Sequence, residues 1–278
     1  MTSRLIGAIV RAGLVMAMVA LPAAVLIEVS ADTQQMVTFA ALLLGAITFA
    51  EYNATFPSLI EFRDAAPFNR LRAAMLASTL ASLSFALPDT ILPVHLQAQA
   101  VELAGYVGRA MDFPFSPARL VLQLANTDTD PARLEVLRNA AGLAYVIGLS
   151  WLALFATVVR VGGWPSPRKP LNLWVNLPMF DPTAGADVVL RLSRDGRVNI
   201  LLGFVLPFIV PVVAKLGFGH ADILETAPPH SVIWIIALWA FLPTSLILRG
   251  IALLRIAELI VQTRAAHGAK SASSLAHA

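Results

Sequence analysis

"EYNATFPSLIEFRDAAPFNRLR", residues 51 to 72, interrupts one of the most apolar stretches of a 278-residue chain. It carries two glutamates, an aspartate and three arginines beside three phenylalanines and two prolines. Read as the turn between two membrane-crossing helices, it makes the chain an all-α, polytopic membrane protein. Read as a ligand-binding or catalytic loop, it would need partners that the flanking runs do not supply. Composition decides for the first reading. The chain is 58% hydrophobic and 13% charged, with a mean hydropathy of +0.74, whereas soluble domains carry about a quarter charged residues.

Working outward from this turn, six apolar windows approach the roughly 20 residues needed to cross a bilayer. They run from about Leu5 to Ile27, Met36 to Ser58, Ala73 to Val94, Ala140 to Arg160, Asn199 to Phe218, and Ser231 to Arg255. The connections alternate in charge. Arg4, the Arg63/Arg70/Arg72 group, the Arg168/Lys169/Arg191/Arg194/Arg197 group and Arg264 with Lys270 fall on one side. "EVSADTQQ" and "GHADILETAPPHS" fall on the other and contain acids but no lysine or arginine, while the third loop there mixes four arginines with five acids. The positive-inside rule then places both termini in the cytoplasm. Arg4, the first apolar run and "VSA" before Asp32 also admit a cleaved signal peptide, although the run is long for one and Arg11 interrupts it.

Two connections are long enough to fold. In the outer one, "HLQAQAVELAGYVGRAM" places Leu96, Val101, Leu103, Ala104, Val107 and Met111 near helical spacing and reads as an interfacial helix. "SPARLVLQLA" and "DPARLEVLRN" follow, each a capping side chain before proline at the first helical position. The second start should run into the fourth span as one helix. In the inner connection, "GGWPSPRKPLNLWVNLPMFDPT" has five prolines and predicts irregular chain, with Trp164 and Trp174 at headgroup level. "ADVVLRLSRDGRVN" admits a hairpin turning at Asp195–Gly196 or a short interfacial helix capped by Asp187 and ended at Gly196, and the helix is favoured because a lone hairpin is marginal in water. Residues 264–278 read as a disordered cytoplasmic tail.

Ionisable groups inside spans are functional candidates because burying them is costly. Arg11 and Glu51 are equally distant from Ala31, the centre of the first turn. An antiparallel helix pair sets them at equal depth, so they are expected to form an intramembrane charge pair. Pro207 and Pro211 in the fifth span, and Pro243 with Thr244 and Ser245 in the sixth, are expected kinks. Asp89, His95, His220, Asp222, Glu225 and His230 form an expected outer-face polar group, with no spacing that matches a metal-ligand motif. The chain has no cysteine, which excludes thiolate chemistry and disulfides. It holds no G-x-S-x-G elbow, H-E-x-x-H or P-loop, and the sequence names no cofactor. The net charge of +3 reflects topology rather than nucleic-acid binding.

Three function classes follow. The first expectation is a non-catalytic accessory, assembly or scaffold subunit of a bacterial inner-membrane complex, with the lipid bilayer and other membrane subunits as partners. The second is a small transporter or channel, since a split after the third span yields two halves of opposite orientation. A membrane-embedded enzyme is third and would need the outer Asp and His residues to converge.

Overall fold

The structure, a computed structural model, describes residues 2–87, 90–125, 129–165, 172–181, 187–218 and 227–276. These residues form helices and no strand, apart from one isolated bridge between Leu26 and Thr90. In chain order the helices are α1 (Thr2–Val25), α2 (Ala31–Asn53), α3 (Phe68–Ala86), α4 (Val94–Met111), α5 (Pro117–Leu122), α6 (Pro131–Arg160), α7 (Leu173–Asn176), α8 (Val188–Phe218) and α9 (Pro229–Ala276). Five of them, α1, α2, α6, α8 and α9, are long and apolar enough to cross a membrane.

Local signals explain the helix ends. Ser30 caps α2 by accepting from the Thr33 N–H at 3.2 Å. Ser116 and Asp130 cap α5 and α6, accepting from Arg119 N at 3.0 Å and Ala132 N at 3.2 Å, with proline next in each case. α6 then continues unbroken for 30 residues, as its start signal implies.

α3 falls short of the apolar threshold because of its hydroxyls and its two early arginines. Those hydroxyls are answered within the helix: Thr79 and Ser84 donate to the carbonyls of Met75 and Leu80 at 2.8 and 2.7 Å. Its path nevertheless crosses the whole bundle. It starts beside the end of α2 and finishes where Ile91 N donates to Val25 O at 3.0 Å, at the far end of α1. The third window was expected to be helical to Val94; instead the helix ends at Ala86 and a new one, α4, begins at Val94. Leu87, extended at φ -85° and ψ 154°, precedes a proline in the sequence, and a residue before proline is disfavoured in the helical region.

α9 is the hub and packs on α8, α6, α3 and α1, whereas α2 packs on α1 and α8 chiefly on α9. Backbones approach closely at two crossings. A Cβ on Gly142 of α6 would lie 2.8 Å from the Cα of Gly108 on α4, and one on Gly250 of α9 would lie 2.6 Å from the carbonyl of Gly196 on α8. The expectation that Gly196 ends a short helix is therefore corrected. α8 runs through it for 31 residues, and the glycine serves as a contact point rather than a stop.

α8 and α9 also continue through Pro207, Pro211 and Pro243. Pro211 has no N–H for the carbonyl of Pro207, and Trp239 supplies one from α9 at 3.2 Å. The segment after Arg264, expected as a disordered tail, continues α9 as helix to Ala276.

Candidate functional site

Among the described residues, hydrogen bonds cluster at the end of the bundle that carries residues 54–67. Glu51, in the last turn of α2, is buried. Its carboxylate accepts from the backbone N–H groups of Ser58, Leu59 and Ile60 at 3.0, 2.9 and 3.1 Å, and from the Ser58 hydroxyl at 2.5 Å. Successive N–H groups that converge on one anion form a nest, so Glu51 pins the chain that follows its own helix. Arg63 closes the same turn from the other side. Its side chain, 6% exposed, donates to the carbonyls of Glu51 and Ala54 at 3.0 and 2.7 Å. A cation at those last carbonyls also opposes the negative end of the helix dipole.

The predicted pairing of Arg11 with Glu51 is corrected. Arg11 donates to Gly7 O at 2.7 Å and lies over the Tyr52 ring at 4.6 Å. The depth match holds, since Arg11 meets the residue next to Glu51. The facing does not, because adjacent helix positions differ by about 100°.

Beyond the nest the segment folds inward. Phe62 adopts φ 53°, a left-handed conformation uncommon for a bulky residue, and its N–H donates to Asn176 O of α7 at 2.6 Å. Its ring packs on Phe68 at 4.4 Å between centroids, and Phe68 stacks with Trp164 at 6.0 Å. Trp164 donates from Nε1 to Ala66 O at 3.0 Å. Phe62, Phe68, Phe155 and Trp164 are all buried, so Trp164 is a core residue rather than the expected headgroup anchor, while Trp174 is exposed.

Glu61 turns the opposite way, toward α9. Its carboxylate receives Arg249 in a two-pronged contact, Nε at 2.6 Å and Nη2 at 2.8 Å. Glu61 and Arg249, with Tyr52, Asn69, Arg72 and Asn199, line a cavity of about 530 Å³. Asn69 donates to Glu61 O at 2.7 Å and Asn199 to Asp195 O at 2.7 Å. The Nε of Arg72 is shielded from solvent and bonds to no atom among the described residues. Two guanidinium groups against one carboxylate leave the cavity cationic. Such a wall can hold a small carboxylate or phosphate through charge-assisted hydrogen bonds.

The expected outer-face group is only partly within view. Asp89, His220, Asp222 and Glu225 lie outside the described residues. His95 is exposed on α4; His230 is half-buried at the start of α9, with Nε2 shielded and unbonded. Among the described residues no three His, Asp or Glu side chains are arranged to hold a metal. Lys215, in the last turn of α8, donates to Gln123 O just after α5.

Sequence reasoning passed over Glu61, Arg72 and Arg249 as site residues. One signal was present: Arg249 sits in the apolar run "LILRGIALL", where an ionisable residue calls for a partner. Compared with protein-family models, with curated proteins and with solved structures, the chain matches none significantly.

Proposed function

We propose that the chain is a six-span protein of a bacterial inner membrane with both termini in the cytoplasm. On this reading it acts as a non-catalytic accessory or assembly subunit of a membrane complex. Several observations support the membrane part. Met36, Phe39, Leu42 and Leu43 of α2, and Leu201, Phe204, Val213 and Leu216 of α8, are exposed on helices at the flanks of the bundle. Soluble monomers rarely expose such apolar faces. α3 has 19 residues, about 28 Å at a helical rise, close to the thickness of a hydrocarbon core.

The observation that carries the subunit reading is the use made of charge. Glu51, Arg63 and the Glu61–Arg249 pair each join one piece of this chain to another. They build a rigid end rather than a reaction centre. The test is purification in mild detergent, where stoichiometric partner subunits are expected. A monodisperse, partner-free protein that is active by itself overturns the reading. Reporter fusions after Gln35 and after Arg264 test the topology, with an outer signal expected at the first and a cytoplasmic one at the second.

The cationic cavity favours a second reading, a small transporter for an organic or phosphate anion. Under it, Arg72→Gln abolishes uptake at normal abundance. Under the subunit reading, complex assembly survives that change.

A further inference from the structure

A second opening adjoins the polar cavity and shares Val15, Thr48, Tyr52 and Asn69 with it. It is a groove of about 370 Å³ between α1, α2 and α3. Its chemistry is divided along its length. α1 and α3 both start at the same end of the bundle, and the part of the groove nearer that end is lined by Arg11, whose guanidinium reaches back to Gly7, with Arg70, Tyr52 and Asn69. One to two turns further along, the lining becomes Leu14, Val15, Met18, Ala74 and Ala77.

Among the described residues no aspartate or glutamate lines the groove. Arg70 is exposed. Arg11 bonds to the carbonyl of Gly7 and covers the Tyr52 ring; a Cβ on Gly7 would lie 2.8 Å from the Arg11 guanidinium, so glycine leaves the room it occupies. Two cations at the mouth of an apolar channel match one kind of occupant, a molecule with an anionic head and a hydrocarbon tail.

Given the membrane reading above, on which this rests, we propose that the groove binds one anionic phospholipid of the inner leaflet. Its phosphate lies between Arg11 and Arg70, and one acyl chain runs along Val15, Met18, Ala74 and Ala77. The charge complement sets the choice of lipid. A zwitterionic head would bring its own cation against two arginines, whereas the negative surface of the cytoplasmic leaflet favours clustered arginines. The groove separates this site from general attraction to the surface, because it holds a single chain at a fixed place.

The experiment uses the full chain in zwitterionic detergent, titrated with phosphatidylglycerol, phosphatidylcholine or inorganic phosphate. Retained lipid is read by native mass spectrometry and the melting midpoint by intrinsic fluorescence. One phosphatidylglycerol per chain is expected to be retained in preference to phosphatidylcholine. Arg70→Gln should weaken it roughly fivefold, the worth of one arginine at an anionic surface. Ala77→Phe, which fills the tail channel while leaving both arginines in place, should abolish the preference at an unchanged midpoint. Arg160→Gln, an exposed arginine at the same end, should leave it intact.

Equal binding of phosphatidylcholine, equal protection by inorganic phosphate, or an equal loss in Arg160→Gln each overturns the proposal. Alkaline washing of membranes separates the two levels. A chain that washes off refutes the membrane reading and the lipid site together. One that stays but shows no preference refutes the lipid site alone.

Discussion

The ion pairs among the described residues at the two ends of the bundle are built differently, although at both ends a cation also reaches a distant carbonyl, as Arg63 and Arg133 do. At the end that holds residues 54–67, Glu61 and Arg249 are 188 residues apart in sequence yet meet at 2.6 Å, with the carboxylate side chain only 10% exposed. At the other end Arg138 reaches Glu135 at 3.2 Å, three residues away on the same helix, and Arg119 stands 3.7 Å from Asp112. The first arrangement fixes the position of a loop against the last helix. The second decorates α6 and the rim of α5 and orders nothing distant. An ion pair contributes to architecture in proportion to the chain it connects and the water it excludes, which is why exposed neighbours on one helix add little.

Both ends share a different device, the glycine crossing. The largest effect is expected there. Gly250→Leu places a side chain against the Gly196 carbonyl, where backbone has to move, and should cost about 3 kcal/mol or more. The measurement is the yield of monodisperse protein and its melting midpoint, with Gly142→Leu as the partner at the opposite end. If both variants purify and melt like the parent, the helices are not packed as described.

Glu51→Ala comes next. It removes the acceptor of three consecutive N–H groups and should destabilise by about 2–3 kcal/mol. Glu51→Asp, too short to reach the nest, should behave alike. Exchanging Arg11 and Glu51 between their positions should restore nothing; recovery by the exchange would revive a direct pair and contradict the nest.

A double-mutant cycle on Glu61→Gln and Arg249→Gln should then give a coupling of about 1–2 kcal/mol, allowing for the partial exposure of the arginine. The same cycle on Arg138 and Glu135 should give no more than about 0.5 kcal/mol. Equal couplings at the two ends would remove the distinction between them.

Much of the scaffold was legible because its signals are local. Ser116 and Asp130 ahead of prolines located two helix starts, and equal spacing about the first turn brought Arg11 to the level of Tyr52. The inward fold of residues 54–67 was not legible. Phe56, Phe62 and Phe68 look alike in sequence, but Phe62 and Phe68 are buried and Phe56 is exposed. The difference arises from Trp164 and Asn176, contributed by a connection that follows α6. The candidate site escaped notice for the same reason. Arg249 falls inside the sixth apolar window, and nothing near it in sequence reveals that Glu61 is waiting. Hydropathy alone also undervalues α3, where hydroxyls bonded to their own helix lower the score without lowering the ability to pack.

The distance along the chain between Glu61 and Arg249 has a consequence for biogenesis. Ribosomes add about 5–20 residues per second, so a span of 188 residues takes roughly 10–40 s to synthesise at that pace. Throughout that interval α1, α2 and α3 are already made, and the loop at residues 54–67 stands without the arginine that pairs with Glu61. α9, made long afterwards, completes the turn between α2 and α3. A chain truncated before α9 would keep its early helices and still carry an open loop, a mark by which quality-control proteases could tell unfinished molecules from finished ones.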